Sequence, residues 1–166
     1  MNVVVQRARH PLLSDYIHSA VSALLPFIHK GLVERVVVIF YDEQQIPAER
    51  FVFKISVNQS GSSNVIENEL EFTLRSFLVK LSASGSLTKP LTNGSRWEIT
   101  AYFRALPGHG NKEELLWVPT DTKQWQLPPV ITPIKSMSSE PLKVQLYVEH
   151  PSSAEPKDSK GKCIVE

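Results

Sequence analysis

One cysteine in 166 residues, Cys163, is too few for an intramolecular disulfide framework and favours a reducing compartment. An excess of one charge is missing too: the formal net charge is +1. A protein whose main work is gripping phosphate backbones carries a basic excess or stripe, so direct nucleic-acid binding is disfavoured. No apolar run is long enough to span a bilayer, and no opening segment has the basic, apolar, small-residue order of a signal peptide. A membrane is therefore not an expected partner. The sequons Asn58-Gln-Ser and Asn93-Gly-Ser read as chance matches, since glycosylation needs secretion. The last four residues, CIVE, have the outline of a prenylation box, but glutamate is not a usual final residue for one. The plainer reading of residues 151–166 is a polar, proline-containing disordered tail.

The chemistry of enzyme sites is equally sparse. His10, His18, His29, His109 and His150 are scattered, with no metal-ligand spacing to a cysteine or carboxylate. There is no G-x-S-x-G elbow, phosphate-binding glycine loop or dinucleotide fingerprint. GHGN is a glycine-flanked turn, and Glu67, Glu69 and Glu71 read as a solvated helix start rather than an acid–base pair. The sequence offers no catalytic centre, no cofactor site and no metal site, and the chain is read as a non-enzyme.

What is present is one ordinary domain, 42% hydrophobic and 21% charged. Met1–Arg9 reads as a strand. Pro11 opens a helix whose apolar residues (Leu13, Tyr16, Ile17, Ala20, Val21, Leu24, Phe27, Ile28) recur at three- and four-residue spacing. Pro26 should kink or fray its last turn, and Gly31 closes it. VERVVVIFY and ERFVFKISV, joined by DEQQIPA, form a hairpin. A second helix, VIENELEFTLRSFLVKLS, places Ile66, Leu70, Leu74, Phe77, Leu78 and Leu81 on one face. Phe72 and Val79 lie off that stripe, which predicts cover on more than one side. SRWEITAYFRA is another strand, and LLWVP starts one that prolines cut short. The order of elements gives an α+β fold: a mainly antiparallel sheet with helices packed on one face.

The segment from Leu115 to His150 is the anomaly. Pro119, Pro128, Pro129 and Pro133 stud its first half, while KVQLYVE alternates as a strand should. A connection this long with little structure of its own is usually functional or disordered.

Three blocks resolve the choice: HPLLSDYIHSAVSALLPFIHKGLVERVVVIFYDEQQIPAERFVFKI, ELEFTLRSFLVKLS and PVITPIKSMSSEPLKVQLYVEH. In order and spacing they resemble the HORMA domain family, and within it the mitotic-arrest-deficient-like branch that serves translesion DNA polymerase zeta. The resemblance runs from Met1 to about His150. It implies a HORMA domain over residues 1–150, with a core of 1–114 and a C-terminal safety belt of 115–150. Such a belt wraps over an extended peptide and re-docks on the far side of the sheet.

The function implied is a non-catalytic adaptor of the nucleus, with the cytoplasm as an additional location. It would trap a proline-containing peptide of the polymerase zeta catalytic subunit in translesion synthesis and the DNA damage response. The alternative is a spindle-assembly-checkpoint or cell-cycle regulator using the same belt. By residue match, Tyr16 and Trp117 would line the peptide groove. Ile131, Gln145 and Tyr147 would meet the C-terminal domain of a deoxycytidyl transferase translesion polymerase, and Arg75 would lie at a HORMA–HORMA dimer surface. Read from the residues alone, Tyr16 and Trp117 could be core, Gln145 and Tyr147 half-buried strand decoration, and Arg75 a solvent-facing arginine. The family also begins with a long apolar helix packed on the second helix. Met1 falls at the strand that follows it, so a shortened form is expected, with Phe72 and Val79 short of cover and stability reduced.

Overall fold

A computed structural model describes residues 9–58, 67–87, 93–105, 117–121, 125, 127–138 and 142–152, with backbone alone at 67–70, 86 and 87. The expected strand at Met1–Arg9 (Arg9 apart), the turn around His109 and most of the tail with Cys163 lie outside those residues.

Helix α1 spans Pro11–His29, with proline in its first turn, where a missing N–H costs nothing. Pro26 does not end it: the helix runs on to His29, and the Lys30 N–H bonds the Pro26 carbonyl. Gly31 then takes φ 68°, the left-handed residue that lets the chain turn into β1. Strands β1 (Val33–Tyr41) and β2 (Pro47–Val57) pair antiparallel. Asp42 shapes their connection, its Oδ1 accepting the N–H groups of Gln44 and Ile46 at 2.9 Å each. Helix α2 spans Glu67–Ala83 and ends in a 3-10 turn, Ser84–Leu87. Three more strands follow: β3 (Arg96–Phe103), β4 (Val130–Ser138) and β5 (Leu142–His150).

The sheet is wholly antiparallel, in the order β3-β1-β2-β5-β4. Residues paired across strands share a face, which sorts the side chains into two layers. On one face lie both helices. Leu24 and Phe27 of α1 bury against Val33, Val36, Ala101 and Phe103; Phe77 of α2 buries against Met137 and Leu146, with Phe53 and Leu81 alongside. The expected α+β fold with helices on one face is what forms. The other face carries no helix among the described residues. Its core is Val37, Ile39, Tyr41 and Val52, packed with Tyr102 and Tyr147.

Several local expectations change. Trp117–Asp121 has no regular structure, so LLWVP does not give a strand over its described residues. Pro133 lies inside β4, at the register shift between Pro133 and Lys135. Because β4 is a border strand, the missing N–H of Pro133 can face outward. Leu74 and Leu78, predicted for the buried stripe of α2, are exposed, as are Tyr16, Ile17 and Val21 of α1. Periodicity alone does not tell which part of a wide apolar arc meets the sheet. Phe72 and Val79 are 75% and 53% exposed, so α2 is not covered on a second side at those positions.

Candidate functional site

The two borders of the sheet are unlike. At one, the β4–β5 hairpin docks on β2 along eight residue pairs, from Arg50↔Glu149 to Val57↔Leu142. Leu146 and Val148 are buried there, and Met137 of β4 packs under α2. At the other border, β3 bonds β1 on its inner side, and no strand pairs with its outer side among the described residues. A strand in that position presents unpaired N–H and C=O groups, a template for a further strand.

Aromatic side chains stand at both ends of this open border. Tyr16 of α1, 49% exposed, meets Trp97 of β3 edge to face, with ring centroids 5.7 Å apart. Trp97 and Phe103 are six residues apart on the strand, about 20 Å. At the Phe103 end, Trp117 packs with the Leu24, Phe27 and Val33 cluster. Its buried Nε1–H has no hydrogen-bond partner among the described residues. The structure thus brings Tyr16 and Trp117 to one strand, between α1 and the open border. Tyr16 is half in solvent, whereas Trp117 is packed on that core cluster.

Ile131, Gln145 and Tyr147 share the helix-free face. Ile131 stands opposite Glu149, Gln145 lies between Lys54 and Ser136, and Tyr147 between Val52 and Pro133. Ile131 is 56% exposed and Gln145 is exposed, whereas Tyr147 is half-buried against the Val37–Val52 cluster. Burial and the nearby Glu149 raise the Tyr147 hydroxyl above its usual pKa, against the pull of the Arg35 guanidinium that hydrogen-bonds it. Arg75 lies apart, on α2. It pairs with Glu71 one turn earlier and is flanked in sequence by the exposed Phe72, Leu78 and Val79.

Other residues of the site were not singled out from sequence. Trp125, in the strap between Trp117 and β4, lies over the Arg50 guanidinium at 4.4 Å and donates its Nε1–H to Glu149 Oε2 at 3.1 Å. Arg50 belongs to β2 and Glu149 to β5, so this one indole covers the join between core sheet and hairpin. Trp117 packs in a cluster on the helix face and Trp125 over Arg50 on the other; the strap therefore links the two faces. A tryptophan in a polar strap (TDTKQWQLPP) was the available signal. Arg35 stacks on Tyr102 at 4.1 Å and Arg96 on Tyr41 at 4.8 Å, partners that only the strand register reveals. Among the described residues no group of His, Cys, Asp or Glu side chains has a metal-binding arrangement.

No protein-family model matches the chain. Among characterised proteins it is 66% identical over 157 residues to the DNA polymerase zeta processivity subunit of Arabidopsis thaliana, covering 94% of this chain and 73% of that protein. It is 33% identical over 156 residues to the mitotic spindle assembly checkpoint protein MAD2B of Gallus gallus, covering 89% of this chain and 74% of that one. Among solved structures, HTP-2 bound to HTP-3 motif-6 superposes with a TM-score of 0.65 at 9% identity, over 84% of this chain and 69% of that chain. These relatives are named as a processivity subunit and a checkpoint protein, not as enzymes. On sequence identity and fold together, the chain belongs to the HORMA family, in the branch of the DNA polymerase zeta processivity subunit and MAD2B.

Proposed function

We propose that this protein is a non-catalytic adaptor that traps an extended, proline-containing segment of the polymerase zeta catalytic subunit, acting in the nucleus in translesion synthesis. One observation carries the reading: the C-terminal hairpin is docked beside β2, and the opposite border, β3, has no further strand among the described residues and is flanked by Tyr16 and Trp117. A peptide added along β3 would satisfy its outer N–H and C=O groups, and contacts with Trp97 and Phe103 would help to select its sequence. A carbonyl of that peptide, or a small shift of the strap, would give the Trp117 Nε1–H an acceptor. Prolines in the strap hold it extended and lower the entropy lost when it closes over the ligand. The segment 115–150 is then the belt, and its studding with prolines is part of how it works.

Two finer partners belong to the same reading. The C-terminal domain of a deoxycytidyl transferase polymerase would dock on Ile131, Gln145 and Tyr147, which share one face. A second HORMA protein would meet α2 around Arg75, where exposed apolar side chains flank a cation. The checkpoint alternative draws on the name of the avian relative at 33% identity, against 66% to the polymerase subunit.

The test is amide hydrogen exchange with and without a proline-containing peptide of the catalytic subunit. The expected result is new protection in Trp97–Phe103 and across the strap, retained at high salt. A phosphate-driven contact would weaken steeply under the same salt. Unchanged exchange at β3 would overturn the reading. Protection elicited only by a checkpoint-derived peptide would select the alternative.

A further inference from the structure

The helix-free face has a second region that the docking residues do not account for. At the end where β1 begins and β2 finishes, the register sets Arg35, Lys54, Gln145 and Ser136 side by side across four strands. The next row sets Ser56, Lys143 and Ser138 side by side. A shallow depression of about 550 Å³ opens over these two rows, lined by Lys54, Ser56, Ser136, Ser138, Lys143 and Gln145 together with the apolar Ile55 and Met137. Among the described residues that lining offers two ammonium groups, three hydroxyls and a carboxamide beside the two apolar residues, and no carboxylate.

Arg35 and Lys54 are directly opposite one another, an arrangement of like charges that destabilises an antiparallel pair. Neither Lys54 nor Lys143 has a carboxylate within ion-pair distance among the described residues, and the Arg35 Nε is buried with no hydrogen-bond partner. Arg104 brings a further cation towards this end, its Nη2 lying 3.5 Å from the Ile55 carbonyl oxygen. The sheet therefore concentrates positive charge where the whole chain has almost none in excess.

We propose that this depression receives the carboxylates of an acidic segment of a protein partner. Lys54 and Lys143 supply the charge, and Ser136, Ser138 and Gln145 supply hydrogen-bond donors. The shared residue Gln145 makes it continuous with the docking face at Ile131 and Tyr147. The inference rests on that docking reading for the identity of the occupant, and not for the chemistry of the site. Carboxylate is chosen over nucleic acid because the depression offers only two lysines and the whole chain has a net charge of +1, too little basic excess to follow a phosphate backbone.

The experiment is a ¹H–¹⁵N titration of the full chain with an end-blocked hexaglutamate peptide, with hexaglutamine and inorganic phosphate as parallel arms. Hexaglutamate should give saturable shifts at Lys54, Ser136, Lys143 and Gln145, with Ile39 and Val52 unmoved, and hexaglutamine none. The pair Lys54→Glu and Lys143→Glu should weaken binding by about tenfold, and Lys54→Gln with Lys143→Gln by about threefold. Shifts spread equally over Lys30 and Lys80, or unaltered by both pairs of substitutions, overturn the site. Inorganic phosphate binding more tightly than hexaglutamate overturns the choice of a carboxylate-bearing partner. Ile131→Ser separates the two readings. If it abolishes docking of the polymerase domain but spares hexaglutamate, both stand; if the domain never docks while hexaglutamate binds, only the docking reading falls.

Discussion

The sheet has two unlike borders: one is closed by the late β4–β5 hairpin, and at the other no further strand pairs with β3 among the described residues. The β5–β4 border is closed by residues from late in the chain and held by deep burial: Leu146 and Val148 are almost wholly inaccessible, and Phe77 of α2 packs on Met137. Among the described residues the β3 border is left open; Tyr16 of α1 beside it is half in solvent, while Trp97 and Phe103 are partly buried. The difference teaches that exposure on this molecule is local and organised. At the closed border the burial is confined to the inner strand: Leu146 and Val148 are inaccessible, whereas Val130 and Ile131 of β4 are more than half exposed. A border strand left open in this way is otherwise a hazard for edge-to-edge association.

The comparison breaks most readily at Leu146. Replacing this core leucine with alanine removes transfer energy and leaves a cavity, at a cost of about 2–5 kcal/mol. The expected outcome in thermal unfolding is a large drop in Tm, with the β5 amides exchanging first. Equal exchange rates in β3 and β5 of this variant would mean that the hairpin is not separately fastened. Tyr16→Ala should do the reverse. Its ring is half exposed, so stability should change by less than about 0.5 kcal/mol, while affinity for the trapped peptide should fall by about 2 kcal/mol. Calorimetry of binding and of unfolding on the same variant gives both numbers. A stability loss as large as the affinity loss would return Tyr16 to the core.

Much of this was legible in the sequence, and the failures have physical causes. Both helices, the β1–β2 hairpin, β3 and β5 follow from hydrophobic spacing and from Pro11 and Gly31. Two periodicities survived even where the buried set was misjudged: α2 is a helix, yet Leu74 and Leu78 face outward, because an apolar arc wider than the contact gives no sign of which edge meets the sheet. The border position of β3 could not be read, since strand order depends on contacts distant in the chain. The hairpin's place on the far side came only from the HORMA resemblance, and the order of strands agrees with it. Arg50, Glu149 and Trp125 form one contact from residues up to 99 positions apart, and no local pattern announces it. Tyr16 and Trp117 were identifiable, but their placement at two ends of one strand was not.

Trp125 sharpens the comparison at the strap. Its stacking on Arg50 and its hydrogen bond to Glu149 should together contribute about 1–2 kcal/mol. Because the indole covers the join between β2 and β5, Trp125→Ala should speed release of a trapped peptide by roughly tenfold, the rate equivalent of about 1.4 kcal/mol. Its effect on Tm should be smaller than that of Leu146→Ala. Dissociation followed by fluorescence of a labelled peptide measures it. An unchanged off-rate would confine Trp125 to a local packing role.

The smallest effect is one of pH. Tyr41, buried in the helix-free face and donating its hydroxyl proton to Glu98, has its pKa pushed up to about 12 by burial first and by that carboxylate second. The protonated phenol is the form favoured by the fold. Its contribution is therefore complete below about pH 10, the unfolded value, and disappears as pH rises through about 12. By pH 11 the loss should be about 1 kcal/mol. Tyr41→Phe cannot ionise, so its denaturant midpoint should decline less between pH 9 and 11 than that of the parent chain. Tyr147, shifted the same way, leaves a residual slope in both. Since Tyr147 lies on the β4–β5 hairpin and Tyr41 on β1, the two slopes divide the alkaline loss between the hairpin and the strands it docks on. If Tyr41→Phe and the parent fall in parallel, burial of the hydroxyl beside Glu98 is not what stabilises that face.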